Sequence, residues 1–377
     1  MSAAFIDLQA QYRHLRKDIQ SRIDGVLEHG HFIMGPEVEE LEAKLAEFCG
    51  SRHAITCSSG TDALIMSLMA LGVGQGDAVF TPTFTYIATA EAIRWVGATP
   101  VFVDIDARTF NMDPQRLSEA IVHTSRQGTL RARCILPVDL FGQPAPYPEI
   151  LAIAGRHKLL VLGDSAQGFG SEIHGRKSTH MPDIATTSFF PAKPLGCYGD
   201  GGAIFTDNAE HASLLRSLRV HGKGSSKYDC VRLGMNARLD TLQAAILLAK
   251  LAVFETEITA RNRFASRYDQ ELSESVDTPQ VRDGYRSVWA QYSILAQSPA
   301  QVTHIQASLK KAGIPSAVYY EKCVHLQGAM ADLGYHEGDF PVSEEVASRI
   351  LSLPMHPYLQ DEQISQTCEI LRQSIAE

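Results

Sequence analysis

Four groups of residues have types and spacing that suit one kind of chemistry. Ser58-Ser59-Gly60-Thr61-Asp62 stands between an apolar run and a helical pattern. Backbone N–H groups and hydroxyls at the start of a helix bind phosphate, although the same residue types are ordinary helix caps. Asp164 follows the apolar run at 159–162. An acid at the carboxyl end of a parallel strand lies where open α/β sheets take ligands, and there it could hold a cationic ring nitrogen. A cap for the turn at Ser165 is the plainer alternative. Lys193 stands in Ser188-Phe189-Phe190-Pro191-Ala192-Lys193-Pro194-Leu195-Gly196. An amine desolvated beside Phe189, Phe190 and Leu195 has a lowered pKa and can form a Schiff base, whereas most loop lysines are simply solvated. Phe84 and Tyr86 could stack on a flat ring or pack in a core. A phosphate cradle, an acid for a pyridine nitrogen, a Schiff-base lysine and a stacking ring are together the parts that hold pyridoxal phosphate.

The surrounding pattern supplies the scaffold those residues need. Short β-rich apolar runs lie at 54–57, 78–81, 100–103, 134–138, 159–162, 184–189 and 203–206, with helical patterns at 60–71, 85–96, 114–122 and 149–157. Strands alternating with helices predict an α/β fold with a mostly parallel seven-stranded sheet buried on both faces. An amphipathic helix over 8–27 and a second helix over 37–49 are expected before it. A polar, Gly-rich loop at 222–233 and a long helical segment at about 240–272 follow. A smaller α+β C-terminal unit then reads as a strand at 288–295, a helix at 302–312, a strand at 316–320 and terminal helices. The expected division is a large domain over 1–250 and a small one over 251–377.

Composition narrows the function classes. The chain has 377 residues, 45% hydrophobic and 20% charged, with a net charge of −9. It is neither disordered nor basic enough to suggest nucleic acid or an anionic membrane as a partner. The apolar stretch at 63–73 is too short for a membrane span and that at 244–254 is broken by Lys250. The start lacks the basic region and apolar run of a secretory signal. The seven cysteines are scattered without a C-x-x-C pair, so no metal site is expected and the thiols read as those of a cytoplasmic protein.

Over about residues 5–357 the chain resembles the DegT-type nucleotide-sugar aminotransferases, of PLP fold type I (aspartate aminotransferase-like). The resemblance rests on Gly35-Pro36-Glu37-Val38, Ser58-Ser59-Gly60-Thr61-Asp62-Ala63-Leu64, Val103-Asp104-Ile105-Asp106, Asp164-Ser165-Ala166-Gln167, Lys193-Pro194-Leu195-Gly196, Gly199-Asp200-Gly201-Gly202-Ala203 and Asn236-Ala237-Arg238-Leu239-Asp240. It implies that Lys193 carries pyridoxal 5'-phosphate as a Schiff base and shuttles the substrate proton. It implies Asp164 at the ring nitrogen, Gln167 at the 3-hydroxyl, and Gly60, Thr61 and Ser188 at the phosphate. Phe84, rather than Tyr86, is expected to stack on the ring. Asn236 is implied to reach the phosphate of the neighbouring subunit's cofactor, which makes a homodimer obligatory.

Within the family, residues 189–203, 239–250 and 352–358 are most similar to enzymes that aminate C3 of UDP-2-acetamido-2-deoxy-3-oxo-glucuronate. Those enzymes use L-glutamate as donor, in surface polysaccharide biosynthesis. A guanidinium suits the carboxylate of either substrate, and Arg238 is the candidate, with pairing to Asp240 as the structural alternative. Tyr319, Tyr320 and His325 fall in the segment that lies near the sugar. That segment departs from the family pattern: Tyr319 replaces a His, and Glu321 and Cys323 replace prolines. Amination of a 4-keto-6-deoxy or 3-keto deoxysugar nucleotide is the neighbouring alternative. A non-catalytic sensor on the same fold is the alternative of another class.

Overall fold

The computed structural model describes residues 4–226 and 228–376. Helices α1 (Leu8–His29) and α2 (Pro36–Cys49) come first. Asp7 caps α1 by accepting from Ala10 N at 2.7 Å, and Pro36 opens α2 where no N–H donor is needed. The alternating region is β1 (His53–Cys57), α3 (Gly60–Ala70), β2 (Asp77–Pro82), α4 (Ala88–Trp95), β3 (Thr99–Val103), α5 (Pro114–Gln127), β4 (Arg131–Ile135), α6 (Tyr147–His157) and β5 (Leu160–Asp164). Two short strands, β6 (Glu172–Ile173) and β7 (Arg176–Lys177), precede β8 (Ile184–Ser188), β9 (Gly202–Thr206) and α7 (Ala209–Leu218).

The large sheet has seven strands in the order β1-β9-β8-β5-β4-β2-β3. Only β9 runs against its neighbours, β1 and β8; the remaining pairs are parallel. Six strands therefore finish on one edge, which gathers Cys57, Asp164 and Ser188 although the sequence scatters them. Crossover helices cover both faces, so every residue of β2 and β9 is buried. This is why these strands read as continuous rather than alternating apolar runs.

The C-terminal part contains α8 (Thr241–Leu251), α9 (Phe254–Leu272), β10 (Tyr285–Arg286), β11 (Tyr292–Leu295) and α10 (Pro299–Lys311). It continues with α11 (Pro341–Arg349), β12 (Ile350–Leu353) and α12 (Asp361–Ala376). β10 joins β6 and β7, and β11 pairs with β12. A core of Tyr268, Tyr292, Ile305, Leu353 and Ile364 lies beneath these elements. Helix α9 gives Phe254 and Ile258 to the core under the large sheet, then Phe264 and Tyr268 to this second core.

Four boundaries differ from expectation for identifiable reasons. The helical segment at 240–272 is two helices, parted at Ala252–Val253 without a glycine or proline to announce it. The strand expected at 134–138 is β4, ending at Ile135, because Pro137 has no N–H for the ladder. The strand at 288–295 begins only at Tyr292, since Trp289 has a φ of +50°. The strand at 316–320 is absent; one bridge joins Ala317 to Ser352 before the chain leaves the sheet. Among the described residues no helix is long and apolar enough to cross a membrane.

Candidate active site

A cavity of about 460 Å³ opens at the edge where the parallel strands end. Its wall includes Ser59, Gly60 and Thr61 after β1, Asp164 and Gln167 after β5, and Ser188 and Lys193 after β8. Asp164 is 5% exposed; Thr89 Oγ1 donates to its Oδ2 at 2.9 Å and Ala166 N to its Oδ1 at 3.1 Å. Burial raises its pKa, while those two hydrogen bonds and the charge of Lys193 oppose the rise. Burial lowers the Lys193 pKa and Asp164 partly restores it. The two groups feel each other's charge yet make no direct ion pair among the described residues, which leaves the space between them for a ligand.

The phosphate end is built by local rules. Ser59 caps α3 by accepting from Asp62 N at 3.0 Å. Ser58 Oγ donates to the Asp62 carboxylate. The N–H groups of Gly60 and Thr61 remain for a ligand at the positive end of the helix. A Cβ on Gly60 would lie 2.7 Å from Ser188 Cβ, so glycine lets the helix start approach the end of β8. Gly196 similarly allows the tight turn after Lys193: an added Cβ would meet Pro191 O at 2.5 Å. Lys250 Nζ donates to Gly196 O at 2.6 Å and tethers that turn from below.

Gln167 is held at both ends of its amide. Its Oε1 accepts from Phe141 N at 2.7 Å, and its Nε2 donates to Tyr320 OH at 2.9 Å. Tyr319 and Tyr320 line the cavity. Two expected residues do not. Phe84 is fully buried, packed edge-on against Phe141 and Tyr320, and it is Tyr86 that lines the cavity, 57% exposed. His325 is 1% exposed and away from the wall. Its Nδ1 meets Thr83 Oγ1 at 2.6 Å and its Nε2 meets Glu344 Oε1 at 3.2 Å. It fastens the 324–344 segment to the loop after β2 rather than facing a ligand.

Asn236 and Arg238 lie elsewhere, on a second cavity of about 440 Å³ with Ile33, Ser58 and Gly199. Asp200 lines both cavities. Arg238 makes no ion pair with Asp240 or another acid among the described residues, so its guanidinium is uncommitted. Sequence reasoning passed over Thr89, Gln291 and Ile6, all on the wall of the first cavity. Thr89 lies in the first turn of α4, and its hydroxyl is 3.1 Å from that of Thr85 in the irregular turn before the helix. Nothing local marks Gln291 or Ile6, which arrive from distant parts of the chain.

With this geometry in hand, comparison with known proteins is specific. The chain matches the DegT/DnrJ/EryC1/StrS aminotransferase family over residues 13–372. It is 47% identical over 368 residues to the UDP-2-acetamido-2-deoxy-3-oxo-D-glucuronate aminotransferase of Pseudomonas aeruginosa, covering 97% of this chain and 99% of that one. It superposes on a DegT DnrJ EryC1 StrS aminotransferase from Brucella abortus with a TM-score of 0.96 at 47% identity, covering 99% of this chain and 100% of that one. S. venezuelae DesV in complex with a ketimine intermediate gives a TM-score of 0.94 at 35% identity, covering 100% of this chain and 99% of that one. The chain belongs to the DegT/DnrJ/EryC1/StrS aminotransferase family.

Proposed function

We propose that this protein is a pyridoxal phosphate-dependent aminotransferase. It moves the amino group of L-glutamate to C3 of UDP-2-acetamido-2-deoxy-3-oxo-D-glucuronate, with 2-oxoglutarate as the other product. The observation that carries the reading is the pair of buried Asp164 and half-buried Lys193 on one cavity wall, within reach of each other's charge but not in contact. A pyridine ring with a protonated nitrogen needs an anion at one end and an amine at the other. The free N–H groups of Gly60 and Thr61 fit its phosphate. When bound, pyridoxal phosphate supplies an electron sink for the carbon that loses its proton.

The residues then take distinct tasks. Asp164, kept in place by Thr89 and Ala166, holds the ring nitrogen in its charged form. Gln167, fixed by Phe141 and Tyr320, would contact the cofactor's 3-hydroxyl. Tyr86 replaces Phe84 as the aromatic available to cover the ring. Lys193 anchors the cofactor through its desolvated amine. It then takes the proton from the amino-bearing carbon of glutamate and returns one at C3 of the sugar.

The acceptor assignment is supported by the 47% identity to the P. aeruginosa enzyme. Arg238, with no acidic partner, is the fork for a carboxylate. Tyr319 reaches the cavity whereas Glu321 is exposed and Cys323 buried away from it, so one of the three departures from the family pattern lines the cavity. We further propose a homodimer in which Asn236 reaches the cofactor phosphate of the neighbouring subunit. Phe32, Ile33 and Met34, apolar and exposed beside the second cavity, support a buried subunit contact there. The large unit over 1–250 carries the cofactor and the unit over 251–377 closes the site. Six buried free thiols support a reducing compartment, the cytoplasm. The test is amination of the 3-oxo sugar nucleotide by purified, cofactor-loaded protein with glutamate. Formation of the 3-amino sugar and 2-oxoglutarate in equal amounts is expected.

A further inference from the structure

Gln291 has a side chain that the fold places with care and leaves unused. It lines the cavity from the segment leading into β11. Its backbone N donates to Phe141 O at 3.3 Å, and Phe141 N donates to Gln167 Oε1 at 2.7 Å. One residue thus registers Gln291 against Gln167. Val288 N also donates to Gly142 O at 2.9 Å, and a Cβ on Gly142 would lie 2.7 Å from the N atoms of Trp289 and Ala290, so the two segments are locked together. Yet Gln291 Oε1 is buried without a hydrogen-bond partner among the described residues. A desolvated acceptor is costly unless something donates to it.

The chemistry of that atom narrows the donor. Carboxylates of glutamate only accept hydrogen bonds at neutral pH. The amine of glutamate is the reacting nitrogen and has to sit at Lys193. The hydroxyls and the acetamido N–H of the acceptor sugar remain. We propose that Gln291 is a specificity residue that accepts a hydrogen from a hydroxyl or the acetamido N–H of the acceptor sugar. This assignment rests on the transamination reading above. A site built around such a bond rejects analogues that lack the group.

The two halves of the reaction separate the possibilities when followed by cofactor absorbance. Wild type, Gln291→Leu and Gln291→Glu are loaded with pyridoxal phosphate and given glutamate. The aminated forms then receive the UDP-3-oxo-hexuronate in a second step. In Gln291→Leu the glutamate step should stay within about twofold of wild type. Its sugar step should lose about tenfold or more in kcat/KM, chiefly through KM. Gln291→Glu keeps an acceptor at the same reach and should recover part of that loss. It also decides the matter if the leucine variant does not fold: a glutamate step as damaged as its sugar step overturns the assignment. An unchanged sugar step in Gln291→Leu overturns it as well. A wild type that reacts with glutamate but aminates no keto sugar nucleotide overturns the acceptor reading itself and this assignment with it.

Discussion

At the scale of single residues, the site turns on two ionisable groups, buried Asp164 and half-buried Lys193, each of which favours the charged form of the other. Replacing Lys193 with Ala should reduce turnover by at least about 10³-fold while circular dichroism stays unchanged, since both the anchor and the proton carrier are lost. Replacing Asp164 with Asn should cost roughly 10²- to 10³-fold in kcat, because the ring nitrogen loses its counter-charge. The pH dependence follows from the same pair. Burial lowers the Lys193 pKa and Asp164 raises it. Cofactor capture needs the neutral amine, so its rate should rise with pH and level off below the ordinary lysine value of 10.5. In Asp164→Asn the midpoint should move lower still, since the carboxylate that favours the charged amine is gone; stopped-flow absorbance across pH reads both. Lys193, Asp164 and Gly60 were legible in the sequence because each follows an apolar run, and parallel strands bring such ends to one edge. Phe84 and Tyr86 were not separable: both lie past the end of β2, in an irregular turn where neither the strand nor the helix period applies. His325 lies off the cavity wall, and that placement was not legible because its partners, Thr83 and Glu344, are distant in sequence and contribute nothing to a local pattern.

At the scale of elements, the start of α3 and the end of β8 have to meet closely, and glycine permits it. Gly60→Ala would place a Cβ 2.7 Å from Ser188 Cβ. The helix start should be pushed off the strand and pyridoxal phosphate affinity should fall by about tenfold or more, with only a modest change in melting temperature; equilibrium titration of cofactor fluorescence measures it. The segment after β12 makes a different prediction. His356 is buried beside Arg261, and burial, then that positive charge, lower its pKa from 6.5 to about 4. The unfolded chain therefore binds a proton there that the folded chain refuses. The stability from a neutral His356 is complete above pH 6.5 and is lost as pH falls toward 4. Urea unfolding of His356→Leu should show a shallower loss across that interval than wild type, whatever its stability at pH 7. Strands were legible because crossover helices bury both of their faces. The break between α8 and α9 was not, because apolar spacing continues through it and no residue there forbids helix.

At the scale of the whole molecule, two cavities meet at Asp200, and one holds the candidate cofactor residues while the other holds Asn236 and Arg238. A single chain does not place all of the expected groups around one ligand. The homodimer proposal follows from that division and from the exposed apolar residues beside the second cavity. Ile33→Asp should sediment as a single chain under conditions where wild type pairs, and its activity should fall with its self-association. Such an arrangement is not legible from spacing in the sequence and was expected only from the family resemblance, because residues that would complete a shared site are related by symmetry rather than by spacing. The central claim is that glutamate loads the cofactor and a 3-oxo sugar nucleotide unloads it. The most direct measurement is the absorbance of pyridoxal phosphate-loaded protein, first with glutamate, then with UDP-2-acetamido-2-deoxy-3-oxo-D-glucuronate and a 4-keto-6-deoxy sugar nucleotide in separate cuvettes. The account predicts that glutamate bleaches the cofactor band and that only the 3-oxo sugar restores it. Recovery with the 4-keto sugar alone, or no bleaching by glutamate, would contradict it.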